Sequence, residues 1–283
     1  MAIKHKKIIA IVPAFNEEGQ ISSVLSALSK VDILDEIVVV NDGSEDRTAK
    51  AVKVFSVTLI DHKVNHGKGA AMESGINYAL KKGADILTFF DADLIGLTSR
   101  KIQALIKPLI LNKKLLMTVG VFERNKKKQK ETTLEYSGQR AMKKEFFRGL
   151  SPLLHAGFGV ELLLTSHLEK IAKVRGVSIS TLRKKIRFEG IIHVIKEKKY
   201  GPIEGFGARI KMGLDITKVP LEFFRNDMLK KFSETSGINF EELVQESEKR
   251  KFSKKLKKDQ KKAENRLKFK KWQQEWKKIL NQK

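Results

Sequence analysis

Two carboxylates one residue apart, Asp91 and Asp93, end the apolar run of residues 86–90 in the stretch TFFDADLI. Like charges so placed repel one another unless a cation or solvent separates them. Mg²⁺ and Mn²⁺ take oxygen ligands and are often held by one or two carboxylates plus substrate phosphates. A D-x-D pair is therefore a candidate metal site, with Ala92 lying between the ligands. A solvated turn capping the next helix explains the pair equally simply when it is taken alone.

Three more polar motifs precede it. PAFNEE (residues 13–18) follows a β-branched run, and NDGSEDRT (41–48) follows EIVVV. In them Glu17 or Glu18 can take donors from a nucleoside and Asp42 can bond a base or ribose; the plainer readings are a helix first turn and an Asx turn. NHGKGAA (65–71) combines glycines, a helix start and the Lys68 cation, a combination suited to a phosphate. It lacks the G-x-x-x-x-G-K-[ST] spacing of a Walker loop. Later, Arg140 opens an expected helix, where an anion would be welcome, and Glu161 lies in an apolar setting that calls for a partner. His193 lies in an apolar strand and reads, by itself, as a core histidine.

These residues need elements to hold them. Hydrophobic runs predict strands over 7–12, 36–40, 57–61 and 85–90. Spacing at 3.6 residues predicts helices over 17–30, 48–55 and 67–82. That alternation indicates an α/β protein with a mainly parallel sheet flanked by helices. In such sheets binding sites lie at the C-terminal ends of the strands, and all four motifs fall there or in the loops leading on. Further on, 99–111 reads as helix, 115–121 as strand, 125–133 as a charged loop, 139–150 and 158–174 as helices, and 186–196 as a strand. From 221 the pattern is helical to residue 283. The predicted division is an enzyme domain over 1–225 and a helical, Lys-rich C-terminal extension over 226–283.

Composition narrows the class. With no cysteine among 283 residues there is no disulfide framework and no Cys-ligated zinc site. No window reaches 18 uninterrupted apolar residues, so no membrane-spanning helix is expected. The expected location is cytoplasmic, either free or peripheral on the inner face of the membrane. The formal net charge is +24, which favours anionic partners. Residues 249–283 carry 16 Lys or Arg against three acids, a net of +13, so the body itself is only moderately basic.

PAFNEE, VVVNDGSEDRT, NHGKGAA and FFDADL, in that order, resemble the nucleotide-sugar-binding half of glycosyltransferase family 2. The likeness covers about residues 7–97. It continues more weakly through SGQRAMKKEFF and GFGVELLL, where the chain looks like the dolichol-phosphate mannose synthases and the glucosyl-3-phosphoglycerate synthases. The resemblance implies a GT-A fold with a Rossmann-like sheet, the acceptor half occupying about 98–225. Pro13, Ala14, Asn16, Glu17 and Asp42 would line the nucleoside pocket, and Lys68 would border the nucleotide-sugar. Asp91 and Asp93 would bracket Mg²⁺ or Mn²⁺, with His193 completing the metal shell. Arg140 would meet an acceptor phosphate, and Glu161 would touch the sugar or serve the acceptor.

The implied reaction moves a sugar from a nucleoside-diphosphate sugar, of UDP-glucose or GDP-mannose type, to a phosphorylated acceptor, either a lipid phosphate such as polyprenyl phosphate or a small molecule such as phosphoglycerate. Two other classes compete. A sugar nucleotidyltransferase also uses carboxylate-bound Mg²⁺, but its usual Gly-rich signature is replaced here by PAFNEE. A nucleic-acid-binding protein could use the basic tail, but the body has no recognisable nucleic-acid module, and no specific nucleic acid is expected. In the tail, Phe252, Leu256, Leu267, Trp272 and Trp276 belong to an apolar stripe among lysines. Such a helix either lies on an anionic membrane surface or packs on its own domain.

Overall fold

The computed structural model describes residues 5–122, 137–153 and 159–193. In chain order these form β1 (Ile8–Ala14), α1 (Ile21–Leu28), β2 (Glu36–Asn41), α2 (Thr48–Val52), β3 (Thr58–Asp61), α3 (Lys68–Lys81), β4 (Ile86–Phe89), β5 (Leu94–Ile95), α4 (Ser99–Leu111) and β6 (Met117–Phe122). Then follow β7 (Arg140–Lys143), a short 3₁₀ turn (Lys144–Phe147), α5 (Val160–Val174), α6 (Ile179–Leu182), β8 (Arg183–Phe188) and β9 (Ile192–His193). The expected charged loop at 125–133, the boundary near 226 and the tail helices lie outside the described residues.

Seven strands form one sheet in the order β3-β2-β1-β4-β7-β6-β8. The β1–β2, β1–β4, β2–β3 and β6–β8 pairs are parallel, and β7 runs antiparallel between β4 and β6. β5 and β9 make a separate antiparallel pair. The central strand explains the continuous apolar run at its start. Ile8 to Val12 are all at most 2% exposed because both sheet faces are covered. Ile9 and Ile11 face a cluster with Met72, Ile76 and Ala79 of α3 and Leu164 and Leu168 of α5. Ile8, Ala10 and Val12 face Val24, Leu25 and Leu28 of α1 and Ile102, Leu105 and Ile106 of α4. The two-residue alternation of the strand thus feeds two cores.

The helix expected over 139–150 is not formed. Residues 140–143 are a strand, and a 3₁₀ turn follows. Arg140 pairs with Phe89 on one side and Val119 on the other, so two ladders claim the segment. Non-local pairing overrides local helical preference there. The single strand expected over 186–196 is divided. β8 joins the large sheet, Gly190 turns the chain at φ +65°, and β9 pairs with β5. Among the described residues no helix is long and apolar enough to cross a membrane.

Candidate active site

Parallel pairing brings the C-terminal ends of β1, β2 and β4 to one edge of the sheet. β7 is antiparallel, so its first residue reaches the same edge. This convergence puts PAFNEE, NDGSEDRT, Asp91 and the Ser137–Gln139 turn around one region.

The first two loops are laced together. Asn16 adopts φ +54°, a conformation that asparagine tolerates better than most residues. Its backbone N–H donates to Ser44 Oγ at 2.9 Å, and its side-chain Oδ1 accepts from Glu45 N at 2.9 Å. Glu17 N donates to Thr48 Oγ1 at 2.7 Å. Pro13 and Ala14 pair with Val40 and Asn41, and Asp42 N donates to the Ala14 carbonyl at 2.8 Å. The predicted nucleoside-pocket residues therefore do come together, as one stiff rim.

Asp42 is buried at 2% exposure beneath that rim. Its Oδ1 accepts from His66 N at 3.1 Å and its Oδ2 from Gly67 N at 2.7 Å. His62 Nδ1 lies 2.8 Å from Oδ1. The carboxylate thus caps the turn before α3. Gly43, at φ +70°, permits this packing, since a Cβ there would come within 2.4 Å of the Val64 carbonyl carbon.

The opposite side of the site is a charge cluster. Lys68 Nζ lies 2.7 Å from Asp91 Oδ1 and 2.7 Å from Glu161 Oε1. Gln139 Nε2 donates to Asp91 Oδ2 at 2.7 Å, while its Oε1 accepts from Ser137 Oγ at 2.7 Å. Burial alone would push the Lys68 ammonium down, but the Asp91 and Glu161 carboxylates outweigh it and hold the pKa well above the ordinary lysine value. Lys68 is therefore a fixed cation at neutral pH. Gly138 passes directly against Asp91, and a Cβ there would approach its carboxylate oxygens to 2.5 and 2.6 Å.

The sequence reading puts Arg140 at a helix start, open to a phosphate. Instead it begins β7 and is 1% exposed. Its Nε donates to the Ser137 carbonyl at 2.8 Å and its Nη1 to Thr165 Oγ1 at 3.1 Å. Thr165 Oγ1 in turn donates to the Glu161 carbonyl at 2.9 Å. Arg140 thereby braces the first turn of α5, which carries Glu161. Ala92 is buried and Asp93 half-buried. The β5–β9 register sets His193 opposite Leu94, next in sequence to Asp93. Among the described residues no three His, Cys, Asp or Glu side chains gather as a metal cluster.

Sequence reading missed Gln139, Gly138 and His62. The first two lie beside Arg140 in SGQR, and the third follows β3 at the same sheet edge as the motifs. Position at a strand end was the signal available for His62.

The family model described as glycosyl transferase family 2 matches residues 9–165, a span that holds every element of the charge cluster. The chain belongs to glycosyl transferase family 2. Among family relatives, the UDP-N-acetylglucosamine–dolichyl-phosphate N-acetylglucosaminyltransferase of Methanococcus voltae is 36% identical over 105 residues, covering 31% of this chain and 41% of its own length. The 4,4'-diaponeurosporenoate glycosyltransferase of Staphylococcus aureus is 30% identical over 107 residues, covering 36% of this chain and 28% of its own. The chain thus spans well under half the length of these curated relatives. The crystal structure of glucosyl-3-phosphoglycerate synthase from Mycobacterium tuberculosis, in complex with Mn²⁺, UDP and glucosyl-3-phosphoglycerate, aligns with a TM-score of 0.59. It is 21% identical, over 77% of this chain and 80% of that one, a likeness of fold. The same synthase has also been crystallised with Mg²⁺ and UDP. The family 2 chain accordingly has the GT-A-like architecture, with a mainly parallel seven-stranded sheet between helices.

Proposed function

We propose that this family 2 chain transfers a sugar from a nucleoside-diphosphate sugar to a phosphorylated acceptor. The observation that carries the reading is the half-buried cation Lys68 held between Asp91 and Glu161 beside the Gly67 turn. A nucleoside diphosphate is the leaving group of such a transfer, and its growing negative charge needs fixed positive charge nearby. Lys68 keeps its proton at neutral pH and is preorganised by two carboxylates. The rim of Pro13, Ala14, Asn16 and Glu17 would hold the nucleoside, with Asp42 shaping the turn from below.

A divalent cation fits the donor set. Asp91 and Asp93 with substrate phosphates would make an oxygen-rich site suited to Mg²⁺ or Mn²⁺, and His193 would be the further ligand in this reading. Asp91 already accepts from Lys68 and Gln139, so a bound ion would compete with those donors for its oxygens. When bound, the ion would neutralise charge on the departing diphosphate. Glu161 would face the sugar or acceptor, oriented by Lys68 on its carboxylate and by Arg140 through Thr165 on its backbone. An acceptor phosphate brings its own anionic oxygen and needs no strong base; for a hydroxyl acceptor Glu161 would be the group to take the proton.

Two of the proteins similar to this chain are named for phosphorylated acceptors, dolichyl phosphate and phosphoglycerate, and this reading follows them rather than the diaponeurosporenoate enzyme. The basic segment 249–283 favours an anionic membrane surface as the place where a lipid acceptor would be met. A thermal-shift screen of nucleoside diphosphates and their sugars, with and without Mn²⁺, tests the donor reading. One base should raise the melting temperature more than the others, and more so with the metal. Pyrophosphate release from a nucleoside triphosphate, without sugar transfer, would replace this reading by nucleotidyl transfer.

A further inference from the structure

His62 is bonded at both ring nitrogens beneath the rim. Its Nδ1 lies 2.8 Å from Asp42 Oδ1 and its Nε2 lies 3.0 Å from Ser74 Oγ. Ser74 belongs to α3, while Asp42 follows β2 and His62 follows β3. Three elements thus meet in one line of side chains. Asp42 spends its remaining contacts on the backbone N–H groups of His66 and Gly67. The Asn65 amide also donates to the Asp42 carbonyl at 3.2 Å. The ring of His66 stands edge-on to that of His62, with centroids 5.6 Å apart.

We propose that His62 is a positioning residue for the turn of residues 65–68, and hence for Lys68. The physical reason lies in the two ends of the imidazole. With the proton on Nδ1, His62 donates to Asp42 and fixes the rotamer of a carboxylate that is only 2% exposed. Nε2 then accepts from the Ser74 hydroxyl, which ties the same ring to the helix that begins at Lys68. Without that donor, the Asp42 carboxylate keeps the two backbone N–H groups but loses the ring that ties it to β3 and α3. Gly67, at φ +92°, has no side chain to hold the turn in its place. An Asp–His–Ser line of this kind also resembles a nucleophilic triad. Here Ser74 lies in the middle of α3 and Asp42 holds the His66 and Gly67 N–H groups, so the line ties the turn to the helix. The link from the turn to a donor diphosphate rests on the proposed function.

The test uses the full chain and two substitutions. His62→Asn keeps an N–H donor near the place of Nδ1, whereas His62→Phe keeps ring volume and removes both polar ends. Amide hydrogen exchange at His66 and Gly67 reads the turn without any ligand. Calorimetric titration with UDP and with GDP, each with Mn²⁺, reads its consequence. The phenylalanine variant should lose about tenfold in amide protection and about tenfold in affinity for whichever nucleotide binds, and the asparagine variant should recover most of both. His62→Ala replaces the phenylalanine variant if the latter does not fold. Unchanged protection in the variant lacking both polar ends overturns the proposal, as does an asparagine variant no better than it. If neither nucleotide binds the wild type while exchange still responds, the donor reading falls and the positioning role stands. Altered protection with unaltered affinity would overturn the link to the diphosphate.

Discussion

At the scale of single residues, the site is built from few groups that each do two things. Lys68 bridges two carboxylates and keeps them from repelling one another. Its replacement by methionine leaves Asp91 and Glu161 sharing a largely enclosed space. We expect turnover to fall about 10²-fold, in line with loss of one preorganised electrostatic partner, measured by donor hydrolysis or transfer once the donor is known. Gly138 acts by being small. Gly138→Ala would push the Asp91 carboxylate away from Gln139 and Lys68, since the new Cβ would overlap both its oxygens. Activity should drop by about 10²-fold, with a change in folding stability below about 1 kcal/mol in urea titration. Equal activity of this variant would show that the position of Asp91 does not limit the reaction.

At the scale of elements, the helices matter through what they press against the sheet. α1 buries Ile21, Val24, Leu25 and Leu28 at helical spacing over the β1 face. Leu25→Ala should cost about 2–5 kcal/mol, read as a shifted urea midpoint, because the side chain is fully enclosed. α5 is anchored differently. His167 Nε2 meets the Phe146 carbonyl at 2.8 Å, and burial, the largest influence, pushes the imidazole pKa down. The unfolded chain therefore binds a proton at higher pH than the folded one. Stability from this group is complete above the unfolded value near 6.5 and is lost as pH falls toward the lower folded value. His167→Gln should flatten that slope, which for one group is at most about 1.4 kcal/mol per pH unit. Chemical denaturation across mildly acidic pH would measure it.

For the whole molecule the decisive quantity is charge. A net of +24, with +13 between residues 249 and 283, gives two basic regions of unequal strength. Deleting 249–283 should abolish co-sedimentation with vesicles of anionic phospholipid at low salt while leaving UDP affinity within about twofold, since the rim of residues 13–17 is distant in sequence from the deleted segment. Equal vesicle binding by both chains would remove the membrane reading. Raising ionic strength from about 0.05 M to about 0.5 M should release the full chain from those vesicles, because the Debye length shrinks below the separation of the charges involved.

Much of the first half is legible in the amino-acid sequence alone. Apolar runs marked β1, β2 and β4, helical spacing marked α1 and α3, and strand-end position marked PAFNEE, NDGSEDRT and Asp91. These signals are local, carried by residues adjacent in the chain, and a parallel sheet turns them into one edge. The sequence by itself also determined the charge excess and the absence of cysteine. Tertiary structure alone decided that 140–143 is a strand, because two neighbouring ladders outweigh local preference. It alone buried Arg140 behind the site rather than at its mouth. It alone joined Lys68 to Glu161, 93 residues apart, and set Gln139 against Asp91. Contacts between distant segments leave no periodic trace in the chain, and they decide which of several polar residues faces a ligand and which holds the others in place.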